Sequence, residues 1–521
     1  MDKKISIPKE VLQIVKNLEL KGFQAYIVGG CVRDLLTENS SVCKPKDWDI
    51  TTNAKPEEIQ KIFPKNYSDN KFGTIAVLTN SKDETLQAIE ITPFRTESKY
   101  TDKRRPDKVE WVETIEQDLA RRDFTINAMA IKIQNAKRKA KSTETEEEFK
   151  IIDLFEGQKD LKNGIIRAVG NPKERFQEDA LRLLRAVRMA AVLDFEIEKK
   201  TSQEIKNNAS LLRFVSQERI RDEFLKIILA NGFAKMTKQP GSIFKNIQGP
   251  ARGIELLRKF GLLEFIIPEL LESVDVGQNK HHIYDIYEHL LRSLNYAVKE
   301  NYNVYVRLAA LLHDIAKPRT KKGKGLNSTF YNHEVVGAKM TKKILERLKF
   351  SRKDIEKITK LVRYHLFYYN TGEVGESSVR RLMRNVGQEN IDELLEVRMA
   401  DRIGSGVPKA EPYKLRHLKY IMEKVSKDPI SAKMLKINGN DIMEILKIQP
   451  GPKIGQILEI LLAEVLENPE LNKKEILVEK IKEIGKYPEQ KLEELKSKAM
   501  KKVEKVEVKQ DEMTKEKYWV S

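Results

Sequence analysis

The sequence predicts an α+β chain in which a mixed head of helices and strands is followed by an all-α remainder. Residues 1–165 alternate between the 3.6-residue apolar period of helices and the two-residue period of strands. From about residue 166 helical periodicity takes over and strand signals nearly vanish. The length of 521 residues also exceeds what one core can hold and calls for about three or four domains. The charged fraction of 33% points to an open, solvated, largely helical surface.

A helix over 8–20 comes first, then a strand at AYIVGG and another at WDITTN. In the next helix, PEEIQKIF, the proline suits the first turn. TIAVLT and the alternating LQAIEIT read as adjacent strands. Between Phe94 and Trp111 the basic, turn-rich RTESKYTDKRRPDKVEW reads as a mobile loop, and residues 135–149 read as a charge-rich insert projecting into solvent. The head therefore spans 1–165, a compact helical region 166–269, a histidine-bearing helical region 270–425 and a helical tail 426–521. In the tail, INGNDIMEILKIQPGPKIGQILEILLAEVL reads as two helices joined by a Gly-Pro hairpin, and the last 25 or so residues as a solvated helix or frayed end.

A formal net charge of +18 favours a polyanionic partner. A nucleic acid fits better than a membrane, because no apolar run of about 18 residues occurs; lysine kept for solubility is the plainer alternative. MDKKISIPKE lacks the apolar core of a signal peptide, so a cytoplasmic location is expected. Cys31 and Cys43 cannot build a Cys-rich zinc site and read as incidental.

The chemistry starts at AYIVGGCVRDLL and DWDI, which bring Gly29, Gly30, Arg33, Asp34, Asp47 and Asp49 together. A Gly-Gly turn lets backbone N–H groups approach a triphosphate. D-x-D on a strand points two carboxylates to one face, as a two-Mg²⁺ phosphoryl-transfer site requires. Glu90 offers a third carboxylate, or is an ordinary exposed strand residue. In LARRDFTINAMA, Arg121, Arg122, Asp123 and Asn127 precede an apolar stretch. Paired arginines suit phosphate or ribose contacts, or cap a helix. QEDALRLLRAVRMAA puts Glu178, Asp179, Arg182, Arg185 and Arg188 along one helix face, opposite Leu183, Leu184 and Val187. Such a face either reads a nucleobase edge with acceptors and donors side by side, or is simply salt-bridged.

GGCVRD, DWD, RRDFTINAMA, EDALRLLR and SQERIRDEF occur in the order and approximate spacing of the class II tRNA nucleotidyltransferases. Over roughly residues 20–270 the chain resembles that family, the CCA-adding enzymes and the bacterial poly(A) polymerases. The resemblance implies a DNA polymerase beta-like nucleotidyltransferase head followed by helical neck, body and tail. It implies that Asp47 and Asp49 hold Mg²⁺, that Gly30 and Arg33 contact the triphosphate, and that Arg121, Arg122 and Asp123 recognise ribose. Glu178, Asp179 and Arg182 would pair with the Watson–Crick edges of CTP and ATP, with Arg185 and Arg188 extending that site toward the phosphates. SQERIRDE reads as structural support, with RNA contact by Arg219 and Arg221 as the alternative. The segment 95–108, which members adding only CC lack, implies that the terminal A is added too.

Further on, His289, His313–Asp314 in ALLHDIAKP, His333, His365 and Asp401 follow the order of an HD phosphohydrolase domain. Such His and Asp residues bind divalent metals that activate water on a phosphoester. His289, His313, Asp314 and Asp401 would take one metal, Mg²⁺ or a transition ion, and His333 and His365 would favour a second. HDxGK reads HDIAK here, with Ala316 for glycine. An HD fold kept only for architecture is the alternative. His281, His282 and His417 read as ordinary helix or surface residues, the first two alternatively lining the site.

The expected function is template-independent addition or repair of the 3′-terminal CCA of tRNA from CTP and ATP. An A-adding enzyme or poly(A) polymerase shares every motif. An HD phosphohydrolase with a nucleotide-sensing head is the distant alternative.

Overall fold

The computed structural model describes residues 6–37, 45, 47–68, 73–98, 108–134, 148–230, 249–279, 283–426, 432 and 435–520. Cys43, His281, His282 and most of the 95–108 and 135–149 segments lie outside them.

In the head, α1 (Lys9–Leu20), β1 (Ala25–Val28), α2 (Gly30–Leu36), β2 (Asp49–Thr52) and α3 (Pro56–Ile62) lead into β3 (Asn66–Ser68), β4 (Ile75–Leu78) and β5 (Ala88–Pro93). After β6 (Arg95–Ser98), β7 (Lys108–Trp111) and α4 (Ile115–Ala120) come β8 (Met129–Gln134) and β9 (Glu148–Asp153). Seven strands form one sheet in the order β3-β4-β5-β2-β1-β8-β9. Its pairs are antiparallel except β2 with β5, which run parallel with Asp49 opposite Glu90.

The two-residue period explains what each face carries. Ile27, Ile50, Ile89 and Ile91 point to one face and bury against Val11, Val15 and Ile59 of α1 and α3. Burial of each such side chain contributes about 1.5–3 kcal/mol. Tyr26 and Val28 point the other way, to a small cluster with Phe94, Ile115 and Leu119. Asp49 and Glu90, each one step out of phase with the isoleucines, share that second face.

Past the head, α5 (Gly157–Asn163), β10 (Ile165–Ile166), α6 (Pro172–Glu178), α7 (Leu181–Leu193), β11 (Glu196–Ile197), α8 (Lys199–Asn208), α9 (Gln217–Ile228), α10 (Gly249–Lys259) and α11 (Pro268–Leu271) follow. Then come α12 (Ile286–Lys299), α13 (Val304–Leu312), α14 (Lys317–Thr320), α15 (His333–Arg347), α16 (Arg352–Tyr364), α17 (Glu376–Val386) and α18 (Ile391–Gly404). The chain closes with α19 (Tyr413–Ser426), α20 (Gly439–Leu446), α21 (Pro452–Glu467), α22 (Lys474–Ile484) and α23 (Glu489–Tyr518). It divides into two compact units, Met1–His365 with Glu393–Pro408, and Leu366–Asp392 with Lys409–Ser521. In the second unit Ile442, Ile457, Leu461, Leu477, Ile481 and Leu492 build a core across α20–α23. The Gly-Pro hairpin there joins α20 to α21 as the sequence suggests, and the C-terminal segment is helical to Tyr518.

Four expectations need correction. Asp47 precedes β2 rather than lying on it, so the D-x-D does not sit wholly on a strand. The flanks of the 95–108 segment are paired strands, β6 with β7, and not loop. Short β10 and β11 pair in parallel beyond residue 164, because Ile165 and Ile166 satisfy their backbone groups against Glu196 and Ile197. The motif at Glu178–Arg188 is not one helix: α6 ends at Glu178 and α7 begins at Leu181. Between them Asp179 is extended, and its Oδ1 accepts the Leu181 N–H at 3.0 Å, a local bond that competes with helix continuation.

Candidate functional site

The second face of the sheet opens into a cavity of about 470 Å³. Gly29 and Gly30 line it from the turn after β1, Asp49 and Glu90 from the paired β2 and β5. Arg121, Arg122, Asp123 and Asn127 line it from the turn after α4, and Asp179, Arg182 and Arg185 from the α6–α7 break and α7. Distant stretches of sequence thus converge because the central strands of the sheet, a turn and a helix terminus meet at one mouth.

Asp49 has its carboxyl pushed up to about 6, chiefly by burial, with Glu90 and Asp47 adding to the rise and Arg122 opposing it. A half-buried carboxylate crowded by two more acids is an environment a divalent cation would relieve, so the residues fit such an ion. Asp47 itself is exposed at the edge. The arginines are anchored by a buried acid: Asp118 pairs with Arg121 at 2.7 Å and Arg122 at 3.1 Å. Burial would raise Asp123, but Arg185, whose Nε donates to it at 2.7 Å, outweighs that and brings it down to about 2. Arg182 donates to Glu178 Oε2 at 2.6 Å and to the Arg121 carbonyl at 3.1 Å. Arg33, Asp34, Glu178 and Arg188 do not line the cavity: Arg33 bonds Asn127 at 2.9 Å and Asp34 at 2.7 Å, and Arg188 pairs with Glu223 at 3.3 Å.

Gly29 has φ +82° and ψ −140°, a combination nearly confined to glycine. A Cβ there would lie 3.1 Å from both Arg122 Nη1 and Asp49 Oδ2. Gly29→Ala is therefore expected to cost about 1–3 kcal/mol of stability and to raise the KM of the substrate that this cavity takes. Thermal denaturation beside steady-state kinetics checks it; unchanged values would mean that the turn tolerates a side chain.

Arg95, which no motif singles out, and Arg219, expected only as an alternative RNA contact, also line this cavity.

A second cluster lies elsewhere in the first unit. His289 from α12, His313 and Asp314 after α13, and Asp401 from α18 are buried, with ligand atoms within 4.8 Å of one another, and Asp314, His333 and His365 form an adjoining group. Asp314 is shared: Oδ2 lies 3.2 Å from His289 Nε2 and 3.3 Å from His313 Nε2, while Oδ1 lies 3.3 Å from His333 Nε2 and 3.6 Å from His365 Nε2. Lys317 approaches Asp314 Oδ2 at 2.6 Å and donates to Gln278 at 2.7 Å. Burial lowers His313, but Asp314 and Asp401 overcome it and push the imidazole up to about 10. Asp314 and Asp401 both sit well below the usual carboxylate range, burial being outweighed by Lys317 and His313 for the first, and by His313 and Arg398 for the second. His313 has nitrogens facing both an acid pair and, through Nδ1, the Ala310 carbonyl at 2.9 Å, which orients the ring. His417 does not join the cluster; it lies in the second unit and bonds Tyr369.

Residues 25–167 match the family described as "Poly A polymerase head domain", residues 194–239 "Probable RNA and SrmB- binding site of polymerase A", and residues 330–481 "tRNA nucleotidyltransferase domain 2 putative". The CCA-adding enzyme of Ligilactobacillus salivarius (strain UCC118) is 34% identical over 481 residues, 91% of this chain and 96% of that one. The chain belongs to the CCA-adding enzymes. The CCA-adding enzyme of Lactococcus lactis subsp. lactis (strain IL1403) is 32% identical over 482 residues, covering 92% of this chain and 98% of its own. Among solved structures, the Bacillus stearothermophilus CCA-adding enzyme in complex with CTP is 26% identical, with a TM-score of 0.54 over 91% of this chain and 96% of that one. Nucleotidyltransferases of this family use divalent metal. No described helix is long and apolar enough to cross a membrane.

Proposed function

We propose that this chain adds or repairs the 3′-terminal CCA of tRNA from CTP and ATP in the cytoplasm, using the head cavity as the active site. The observation that carries it is the convergence of Asp49 and Glu90 with Asp179 and Arg182 around one cavity, metal-type carboxylates on one wall and an acceptor and a donor side chain on another. The four segments 1–165, 166–269, 270–425 and 426–521 then serve as catalytic head, neck and body, metal-dependent domain and RNA-contacting tail.

Asp47, Asp49 and Glu90 would hold Mg²⁺, which supplies charge neutralisation at the triphosphate and acidifies the attacking hydroxyl. The RNA 3′-oxygen attacks the α-phosphorus in line; the P–O bond to the β-phosphate breaks, pyrophosphate leaves, and the hydroxyl proton passes to solvent. The open backbone at Gly29 and Gly30, with Arg33 behind it, cradles the triphosphate, and Arg121 and Arg122, held by Asp118, face the sugar. Asp123 fixes Arg185 at the cavity wall. Asp179 accepts from the exocyclic amino group of cytosine or adenine and Arg182 donates to the base edge, so uracil and guanine leave polar groups unpaired. The net charge of +18 binds the tRNA backbone without reading its sequence.

The test uses purified protein, Mg²⁺, all four NTPs and tRNAs ending before CCA, after C or after CC, with the 3′ ends sequenced. CCA completed on all three and then stopping is expected. Extension of the CC-ended tRNA alone would make this an A-adding enzyme, long A tails a poly(A) polymerase, and no incorporation would move the activity to the second cluster.

A second reading is specific to that cluster. Four histidines and two aspartates with ligand atoms this close support an HD-type metal site acting on phosphoesters, with one metal at His289, His313, Asp314 and Asp401 and a second favoured by His333 and His365. Repair of RNA ends beside their synthesis would suit such an activity.

A further inference from the structure

Helix α9 carries Arg219 and Glu223 four residues apart, so both side chains leave from one face, and that face packs on α7. Arg219 Nη2 donates to Asp179 Oδ2 at 2.9 Å. Glu223, only 3% exposed, accepts from Arg188 Nη1 at 3.3 Å. One turn of α9 thus braces two polar groups of the α6–α7 segment.

Asp179 most needs such a brace. It stands in the break between α6 and α7 at φ −134° and ψ 106°, where its N–H closes the end of α6 on the Arg175 carbonyl and its own carbonyl accepts from the Arg182 N–H, so its backbone is extended between two helix ends. Its two oxygens are nevertheless both tied, Oδ1 by the Leu181 N–H at 3.0 Å and Oδ2 by Arg219. A carboxylate oxygen has two acceptor directions, so each oxygen keeps one unused. Two ties set the carboxylate plane relative to the cavity that Asp179 lines. Arg219 lines the same cavity, and its Nη1 is buried with no hydrogen-bond partner among the described residues. Its side chain is therefore held at that wall by Asp179 rather than by a network of its own.

We propose that Arg219 is a positioning residue for nucleotide selection, holding the Asp179 carboxylate at the angle at which its remaining acceptor sites meet the exocyclic amino group that cytosine and adenine share. This rests on the base-reading role given to Asp179 in the function proposed above. Uracil and guanine present a carbonyl oxygen at the corresponding position, which an oriented carboxylate repels and leaves unpaired. Without Arg219, Asp179 keeps only the Leu181 bond, and its rotation relaxes the penalty against the keto bases.

The experiment measures kcat/KM for CTP, ATP, UTP and GTP on tRNAs ending before CCA and after CC, for the native protein, Arg219→Ala, Arg219→Gln and Arg219→Lys, with thermal denaturation of each. Arg219→Ala is expected to lower the CTP-over-UTP ratio about tenfold, the size of one charge-assisted hydrogen bond. Arg219→Lys, which still donates, is expected to regain part of that ratio. Should the alanine variant not fold, Arg219→Gln against Arg219→Lys carries the same comparison. An equal fall for all four nucleotides would assign Arg219 a merely structural role and overturn the proposal, as would an unchanged ratio. If the native protein itself shows no preference for CTP over UTP, the base-reading function fails and takes this proposal with it, an outcome visible before any variant is made.

Discussion

Asp49→Asn is expected to abolish nucleotide addition and, in the same protein, to raise its thermal stability. The loss of activity follows from removing the most buried carboxylate of the proposed metal site; about 10²–10³-fold or more is expected. The gain in stability follows from the position of its carboxyl, pushed up from 3.8 to about 6, first by burial. A folded-state value above the unfolded one means that the native protein binds more protons between about pH 4 and 6. Stability therefore falls as pH rises through that interval, and the charged group is a cost at pH 7. A rise of about two units corresponds to roughly 3 kcal/mol, which the neutral amide removes. The two proteins should differ most at pH 7 in EDTA and converge near pH 4, as read by thermal denaturation, and Mg²⁺ should stabilise only the native one. A destabilised Asn variant would mean that the Arg122 contact, not burial, dominates at Asp49.

Asp314→Asn is expected to have the opposite thermal effect. Its carboxylate is the shared acceptor for His289, His313, His333 and Lys317. Removing that charge leaves Lys317 and a protonated His313 buried beside a neutral amide, at a cost of about 3–5 kcal/mol. Because His313 is pushed up to about 10 by its acids once burial is overcome, its contribution is fully present below the unfolded imidazole value near 6.5 and is lost as pH rises through about 10. A metal bound there must first displace that proton, so affinity in the native protein should rise about tenfold per pH unit through neutrality. Calorimetry with Mn²⁺ or Zn²⁺ in buffers of different ionisation enthalpy reads both the affinity and the proton released. Metal bound with no pH dependence would take His313 out of the coordination sphere; equal metal content in the Asn variant would remove Asp314 from the site.

Much of the head was legible because its signals are local. The alternation in AIEIT places Ile89 and Ile91 on one sheet face and Glu90 and Thr92 on the other, whereas AYIV is a short apolar run buried on both faces, and strands formed at both. Nothing local in the sequence sets Glu90 beside Asp49, since strand pairing is a long-range choice; the parallel register that puts them opposite each other is decided by the sheet. The QEDALRLLR stretch misled for a related reason. Its apolar residues keep helical period through the motif, whereas the break at Asp179 goes with side-chain bonds to the Leu181 N–H and to Arg219 that spacing does not show. The histidines are legible as a set by their type and order, yet nothing in their spacing shows Asp314 facing two groups at once, one through each oxygen.

Sequence by itself determined the α+β class, the helical remainder, the family motifs and the residue types available for chemistry, since period, charge and motif spacing are properties of neighbouring residues. The tertiary structure alone decided which of those residues meet: Asp49 with Glu90, Arg182 with Glu178 across a helix break, and Asp179 with Arg219 from a helix 40 residues away. Such meetings depend on how sheets register and helices pack, and the free energy that selects one packing is spread over the buried apolar side chains rather than encoded in the polar residues that it brings together.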